Sequence, residues 1–212
     1  MGKLQTVLAP STALHGRHLP PLEAGDHLDQ ATFHARYEAM PSDFRAELLG
    51  GVVFVPSPLR LEHGESHALV MGWLTNYWSA TPGTSVRDNA TTILRDDSEP
   101  QPDAALAIEP ESGGQSGVSE DGYATGPPEL IVEVASSSES IDLHAKRRDY
   151  EQAGVLEYVV VSYASAWCAG LSCRTARIGT SRQTRVGCSN PVYSLGSGSI
   201  PQPCSDVMAA RS

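Results

Sequence analysis

Three side chains of the 212-residue chain combine reactive chemistry with an unfavourable setting. Asp103 follows Pro102 and opens the apolar run Ala-Ala-Leu-Ala-Ile, and Glu133 interrupts the run Leu-Ile-Val-Glu-Val-Ala. A carboxylate inside a central strand is costly unless it is paired or bound to metal, so Glu133 needs a partner. A divalent cation is one solution. Hard oxygen donors suit Mg²⁺ or Mn²⁺, which take one or two protein carboxylates and complete their shell with water and substrate phosphate. The other solution places Glu133 at a strand edge against an arginine, and spacing alone does not choose between them. Lys146 is the third group. On a helix it shares a face with Asp142 and Tyr150 at i−4 and i+4, where the helix by itself reads as a surface ion pair and Tyr150 as a packing tyrosine. His63 and His67 stand at i, i+4, a spacing compatible with zinc, but His-Gly-Glu-Ser-His is not the HExxH motif and does not favour a metal pair. His15 and His18 carry still less signal.

The elements that position these groups follow from periodicity and turn chemistry. Ala31 to Ala39 reads as a short helix stopped before Pro41. Phe44 to Val55 reads as a hairpin turning at Gly50-Gly51, ended by Pro56 and Pro58. Apolar residues from Ala68 to Tyr77 recur at helical spacing, which predicts an amphipathic helix over Glu62 to Ser79, closed by Pro82-Gly83. Ser85 to Leu94 and Ala104 to Ile108 read as strands, and Glu109 to Gly126 as a mobile Gly/Ser/Glu-rich loop. Glu129 to Ala135 suits a strand buried on both faces. Ser136-Ser137-Ser138 can cap a helix over Asp142 to Ala153, ended by Gly154, and Tyr158 to Val161 is another buried strand. Strands alternating with helices around a mixed sheet predict an α/β fold.

Charge divides the chain. Residues 164–212 hold five arginines and one acid, a balance of +4, leaving residues 1–163 with 10 basic and 24 acidic residues, or −14; together these give the net −10. Strong sequence-independent binding to DNA or to an acidic membrane is therefore not expected, and contact with a polyanion must be local or assisted by metal. No apolar run is long enough for a spanning helix and no signal peptide is evident, so a cytoplasmic protein is expected. Residues 1–28 read as a loosely ordered arm and 29–163 as the folded domain. Residues 164–212 form an atypical Ser/Gly/Arg/Cys-rich tail with little period. Cys168, Cys173, Cys188 and Cys204 all lie in that tail at spacings that read as free thiols.

The string Pro128-Glu129-Leu130-Ile131-Val132-Glu133-Val134, with Ser136-Ser137-Ser138, Asp142-Leu143, Lys146, Tyr150, Ala153-Gly154-Val155 and Glu157-Tyr158, resembles the signature of the Uma-two family of bacterial endonuclease-like proteins. That family sits within the restriction-endonuclease-like PD-(D/E)xK superfamily. Ala46-Glu47-Leu48, Gly50, Val52 to Val55, Pro56-Ser57-Pro58, His63 and Pro102-Asp103 fall in the same order, so the resemblance covers about Pro41 to Val161. It implies a restriction-endonuclease-like core, a central mixed β-sheet flanked by helices. It further implies that Asp103 and Glu133 bind the divalent ion, that Glu47 is an auxiliary acid and that Lys146 is the catalytic cation. The superfamily lysine stands two residues after the glutamate, where this chain has Ala135; Lys146 from the next helix is expected to replace it. The activity implied is Mg²⁺- or Mn²⁺-dependent hydrolysis of nucleic acid, DNA in the first instance, by a protein with no membrane role that is compatible with a homodimer.

Beyond Val161 no family motif is visible. A shifted reading frame near Tyr163 would account for the abrupt change in composition. Two rival readings follow: a catalytically inactive binding module of the same fold, and a structural carboxylate cluster with no nucleic-acid role.

Overall fold

The computed structural model describes residues 19–135, 139–162, 172–177 and 183–187. Asp29 starts the first helix, α1 (Gln30–Glu38), by accepting the Thr32 N–H on its side chain at 2.7 Å. The hairpin is β1 (Glu47–Leu49) and β2 (Val52–Phe54), and both turn glycines, Gly50 and Gly51, adopt the positive φ that a two-residue turn requires. The long amphipathic helix is α2 (Leu61–Ala80).

The strand expected over Ser85 to Leu94 is broken into β3 (Thr84–Asp88) and β4 (Thr92–Ile93) at Asn89, which takes φ +47°. Next comes β5 (Ala104–Ile108). The segment 109–126, expected as a mobile loop, is built: a 3₁₀ turn at Pro110–Ser112 precedes β6 (Gly117–Val118) and β7 (Ala124–Thr125), which join β4 in a small three-stranded sheet. Strands this short carry no readable alternation, so composition alone misleads there. Then follow β8 (Leu130–Ala135), a π-helical stretch (Ile141–Lys146) running into α3 (Arg147–Ala153), and β9 (Glu157–Ser162). Gly154 ends α3 in the left-handed conformation.

Two further strands, β10 (Ser172–Arg177) and β11 (Gln183–Gly187), continue the sheet into the tail, where the sequence showed little period. The proposed Ser136-Ser137-Ser138 cap, His15, His18, Cys168, Cys188 and Cys204 lie outside the described residues.

The central sheet has the order β11-β10-β9-β8-β5-β3 and is mixed: β8 and β9 run parallel, and every other neighbouring pair runs antiparallel. Each face carries its own core. Val70 and Leu74 of α2 pack on Leu106, Leu130, Val132, Val134, Val159 and Val161. On the opposite face Tyr150 of α3, with Val155, packs on Ile131, Ala135, Tyr158 and Val160. Strand alternation puts Glu133 on this second face, between Ile131 and Ala135.

A third core seats the hairpin on α1 through Leu22, Phe33, Ala46, Leu48 and Val53. Leu22 belongs to the stretch read from sequence as a loose arm, yet the Gly25 N–H donates to the Val53 carbonyl and the Leu28 N–H to the Gly51 carbonyl. Arg36 further ties that stretch down through Pro20, Pro21 and Asp26. An apolar residue among loop-formers, together with a buried arginine's donors, outweighs the local loop signal.

Candidate active site

Three features of the backbone bring the reactive side chains together. The register Ala104↔Val132, continued one step, sets Asp103 opposite Glu133 at the end of β5. The π-helical stretch after β8 carries Asp142 and Lys146, both buried, over that end; such widened turns recur at functional sites. The hairpin supplies Glu47 from β1.

Lys146 Nζ lies 3.0 Å from Glu133 Oε1, 3.1 Å from Glu47 Oε2 and 3.9 Å from Asp142 Oδ1. Glu133 is 2% exposed and Lys146 7%, so this ion pair is desolvated and not the surface pair that the helix alone suggested. Glu133 Oε1 also accepts the Tyr150 hydroxyl at 2.7 Å, so Tyr150 is a member of the site as well as a core residue. Glu133 Oε2 faces the Asp103 N–H at 3.5 Å. Asp103 Oδ2 accepts the Val134 N–H at 2.7 Å, and Glu47 Oε1 accepts the Gln101 N–H at 2.7 Å. The four residues singled out from sequence, Glu47, Asp103, Glu133 and Lys146, therefore form one contiguous cluster.

Sequence reasoning singled out the histidines without giving them a part in this site. His63 Nδ1 is 3.0 Å from the Val134 carbonyl and its Nε2 is 3.5 Å from Asp103 Oδ1. His67 Nε2 lies 2.9 Å from the Asp103 carbonyl and 3.2 Å from Asp88 Oδ1. The i, i+4 spacing did signal a shared helix face, and both rings turn that face toward the acidic strand end.

The electrostatics express a surplus of negative charge. Burial, reinforced by Asp103, Asp142 and Glu47, pushes the Glu133 carboxyl well above the ordinary carboxylate range despite the adjacent ammonium. Burial also disfavours the Lys146 ammonium, but Glu133, Glu47, Asp142 and Asp103 outweigh it and raise its affinity for the proton. For Asp103 burial is likewise overcome: His63, the Val134 N–H and Lys146 hold its carboxyl below the usual range. One lysine thus serves four neighbouring carboxylates, and His63, whose affinity for the proton is raised mainly by its contact with Asp103, faces the same cluster from α2.

This donor set fits a hard divalent cation, whose charge would relieve the surplus. Among the described residues no three His, Cys, Asp or Glu side chains converge as a ready-made metal cage. That is compatible with an ion held by two carboxylates whose remaining ligands come from water and substrate.

The comparisons with known proteins agree with this architecture. A family model described as "Putative restriction endonuclease", Uma2, matches residues 31–185, more than half of the chain. The match runs past both limits of the resemblance read from sequence motifs, into the tail beyond Tyr163. The fold is similar to that of a "putative nuclease belonging to DUF820" from Anabaena variabilis ATCC 29413, solved by crystallography. The TM-score is 0.55 at 11% identity, covering 71% of this chain and 81% of that one. A search of curated proteins returned no match.

Proposed function

Because the chain belongs to the Uma2 family, described as "Putative restriction endonuclease", we propose that it is a divalent-metal-dependent endonuclease that hydrolyses phosphodiester bonds of DNA. The observation that carries this reading is the buried Glu133–Lys146 pair beside Asp103, a concentration of carboxylate that a divalent metal ion would balance, leaving the ion's open positions for water and a substrate phosphate.

Asp103 and Glu133 would hold the ion. When bound, a divalent ion of this kind lowers the pKa of a coordinated water and offsets charge on phosphoryl oxygens. Tyr150 and Lys146 both donate to Glu133 Oε1 and so fix the carboxylate plane, leaving Oε2 turned toward Asp103. Glu47, anchored by the Gln101 N–H, holds the Lys146 ammonium from the other side. Suspended between two carboxylates, the ammonium stays charged and is placed to offset negative charge developing on the attacked phosphate.

The reading is tested by incubating purified protein with supercoiled plasmid in Mg²⁺, Mn²⁺ or EDTA, beside Lys146→Ala. Nicking should require the metal, and the variant should be slower by about 10²- to 10³-fold at saturating metal. Plasmid binding without cleavage in either metal would instead support an inactive binding module. Equal rates in wild type and variant would remove Lys146 from the chemistry.

A further inference from the structure

His63 reaches the acidic strand end from the opposite face of the sheet. It stands in the first turns of α2, is 5% exposed, and makes two contacts that point at different strands. The Val134 carbonyl can only accept, so the ring carries a proton on Nδ1 and donates it across 3.0 Å. That geometry turns Nε2 toward Asp103 Oδ1 at 3.5 Å, while the other oxygen of the same carboxylate takes the Val134 N–H. One ring thus clamps the Asp103 carboxylate to the residue that follows Glu133. His67, one turn on, secures the Asp103 carbonyl.

We propose that His63 is a positioning residue for metal binding: by bridging the Val134 carbonyl and the Asp103 carboxylate it fixes the distance and plane between Asp103 and Glu133, and it occupies the peptide carbonyl adjacent to Glu133. The inference rests on the proposed metal-dependent function, since it assigns His63 a role toward the ion that Asp103 and Glu133 would share. Groups that orient ligands from behind generally alter metal affinity by about 10- to 100-fold when removed. The arrangement also separates the two arms. A glutamine amide nitrogen can stand where Nε2 stands and reach Asp103, whereas an asparagine amide nitrogen stands where Nδ1 stands and reaches only the Val134 carbonyl.

The test is the affinity of the full chain for Mn²⁺, measured by calorimetry in the absence of nucleic acid, for wild type, His63→Ala, His63→Gln and His63→Asn. Metal-free melting temperatures are recorded alongside. His63→Ala should weaken Mn²⁺ binding by about 10- to 100-fold. His63→Gln should recover most of that loss and His63→Asn little of it, in an order that does not follow the melting temperatures. Should His63→Ala fail to fold, the Gln and Asn variants decide the matter, because equal affinities in the two would overturn the proposal. Wild-type affinity in His63→Ala would overturn it as well. A wild-type chain that binds no Mn²⁺ would overturn the metal-dependent reading itself, and the role of His63 with it; Mn²⁺ binding that is indifferent to His63 would overturn only the latter.

Discussion

At the level of single residues, the site trades stability for a concentrated charge. Glu133 holds its proton more tightly in the folded chain than in the unfolded one. The stability this provides is complete below the ordinary carboxylate range and is lost as pH rises through the folded value. Metal-free protein should accordingly melt at lower temperature as pH increases above that range, and Glu133→Gln should flatten the dependence. The same variant should melt higher than wild type without metal once the pH is high enough to ionise Glu133, since it then removes a buried charge, and should lose the rise in melting temperature that Mg²⁺ or Mn²⁺ is expected to give the wild type. Thermal scans across pH in EDTA and in metal check both statements. Lys146→Ala has the opposite sign: stripping the one ammonium from Glu133, Glu47 and Asp142 should destabilise the metal-free chain by about 3–5 kcal/mol. Denaturant titration measures it. The conflict of Glu133 with its apolar strand was legible in the sequence without any structure. The engagement of Tyr150 and the two histidines was not, because a hydrogen bond between elements leaves no trace in local spacing.

Among the elements, the hairpin that carries Glu47 is fastened to the helix that follows Lys146. Asp149 of α3 accepts the Gly50 N–H and an Arg95 guanidinium N–H, each at 3.2 Å, and the Ser98 hydroxyl. Asp149→Ala would orphan the Gly50 donor and free the Arg95 guanidinium, at a cost of about 1–3 kcal/mol. It should also lower activity through the position of Glu47, with a larger effect on the cleavage rate than on metal affinity. Calorimetric melting and single-turnover cleavage of the variant would show this; an unchanged rate would detach the hairpin from the site. The hairpin, α2, β5, β8 and β9 lay open to sequence reasoning because glycine turns, helical period and β-branched runs are local signals. The small β4-β7-β6 sheet did not, since two-residue strands are defined by partners distant in the chain. The π-helical start of the last helix was hidden for a similar reason: its sequence has ordinary helical propensity, and the wider turn is coupled to seating Asp142 and Lys146 in the core.

For the whole molecule, the central sheet does not end where the readable motifs end. β10 pairs along the full length of β9, from Ser172↔Ser162 to Arg177↔Glu157, and β11 pairs with β10. Removing residues 164–212 would leave β9 as an unpaired, apolar edge, so the truncated chain should aggregate or melt lower than the full chain, as light scattering and thermal scans would reveal. Among the described residues no helix is long and apolar enough to cross a membrane. The balance of −14 over residues 1–163 makes a divalent ion the natural bridge between this acidic site and a polyanion. The most direct test of the account is therefore cleavage of plasmid DNA by wild type and by Glu133→Gln, each in Mn²⁺ and in EDTA. Wild type should nick only in metal, and the folded variant should lose about three orders of magnitude or more in rate. Metal-independent cleavage, or equal cleavage by the two proteins in Mn²⁺, would contradict it.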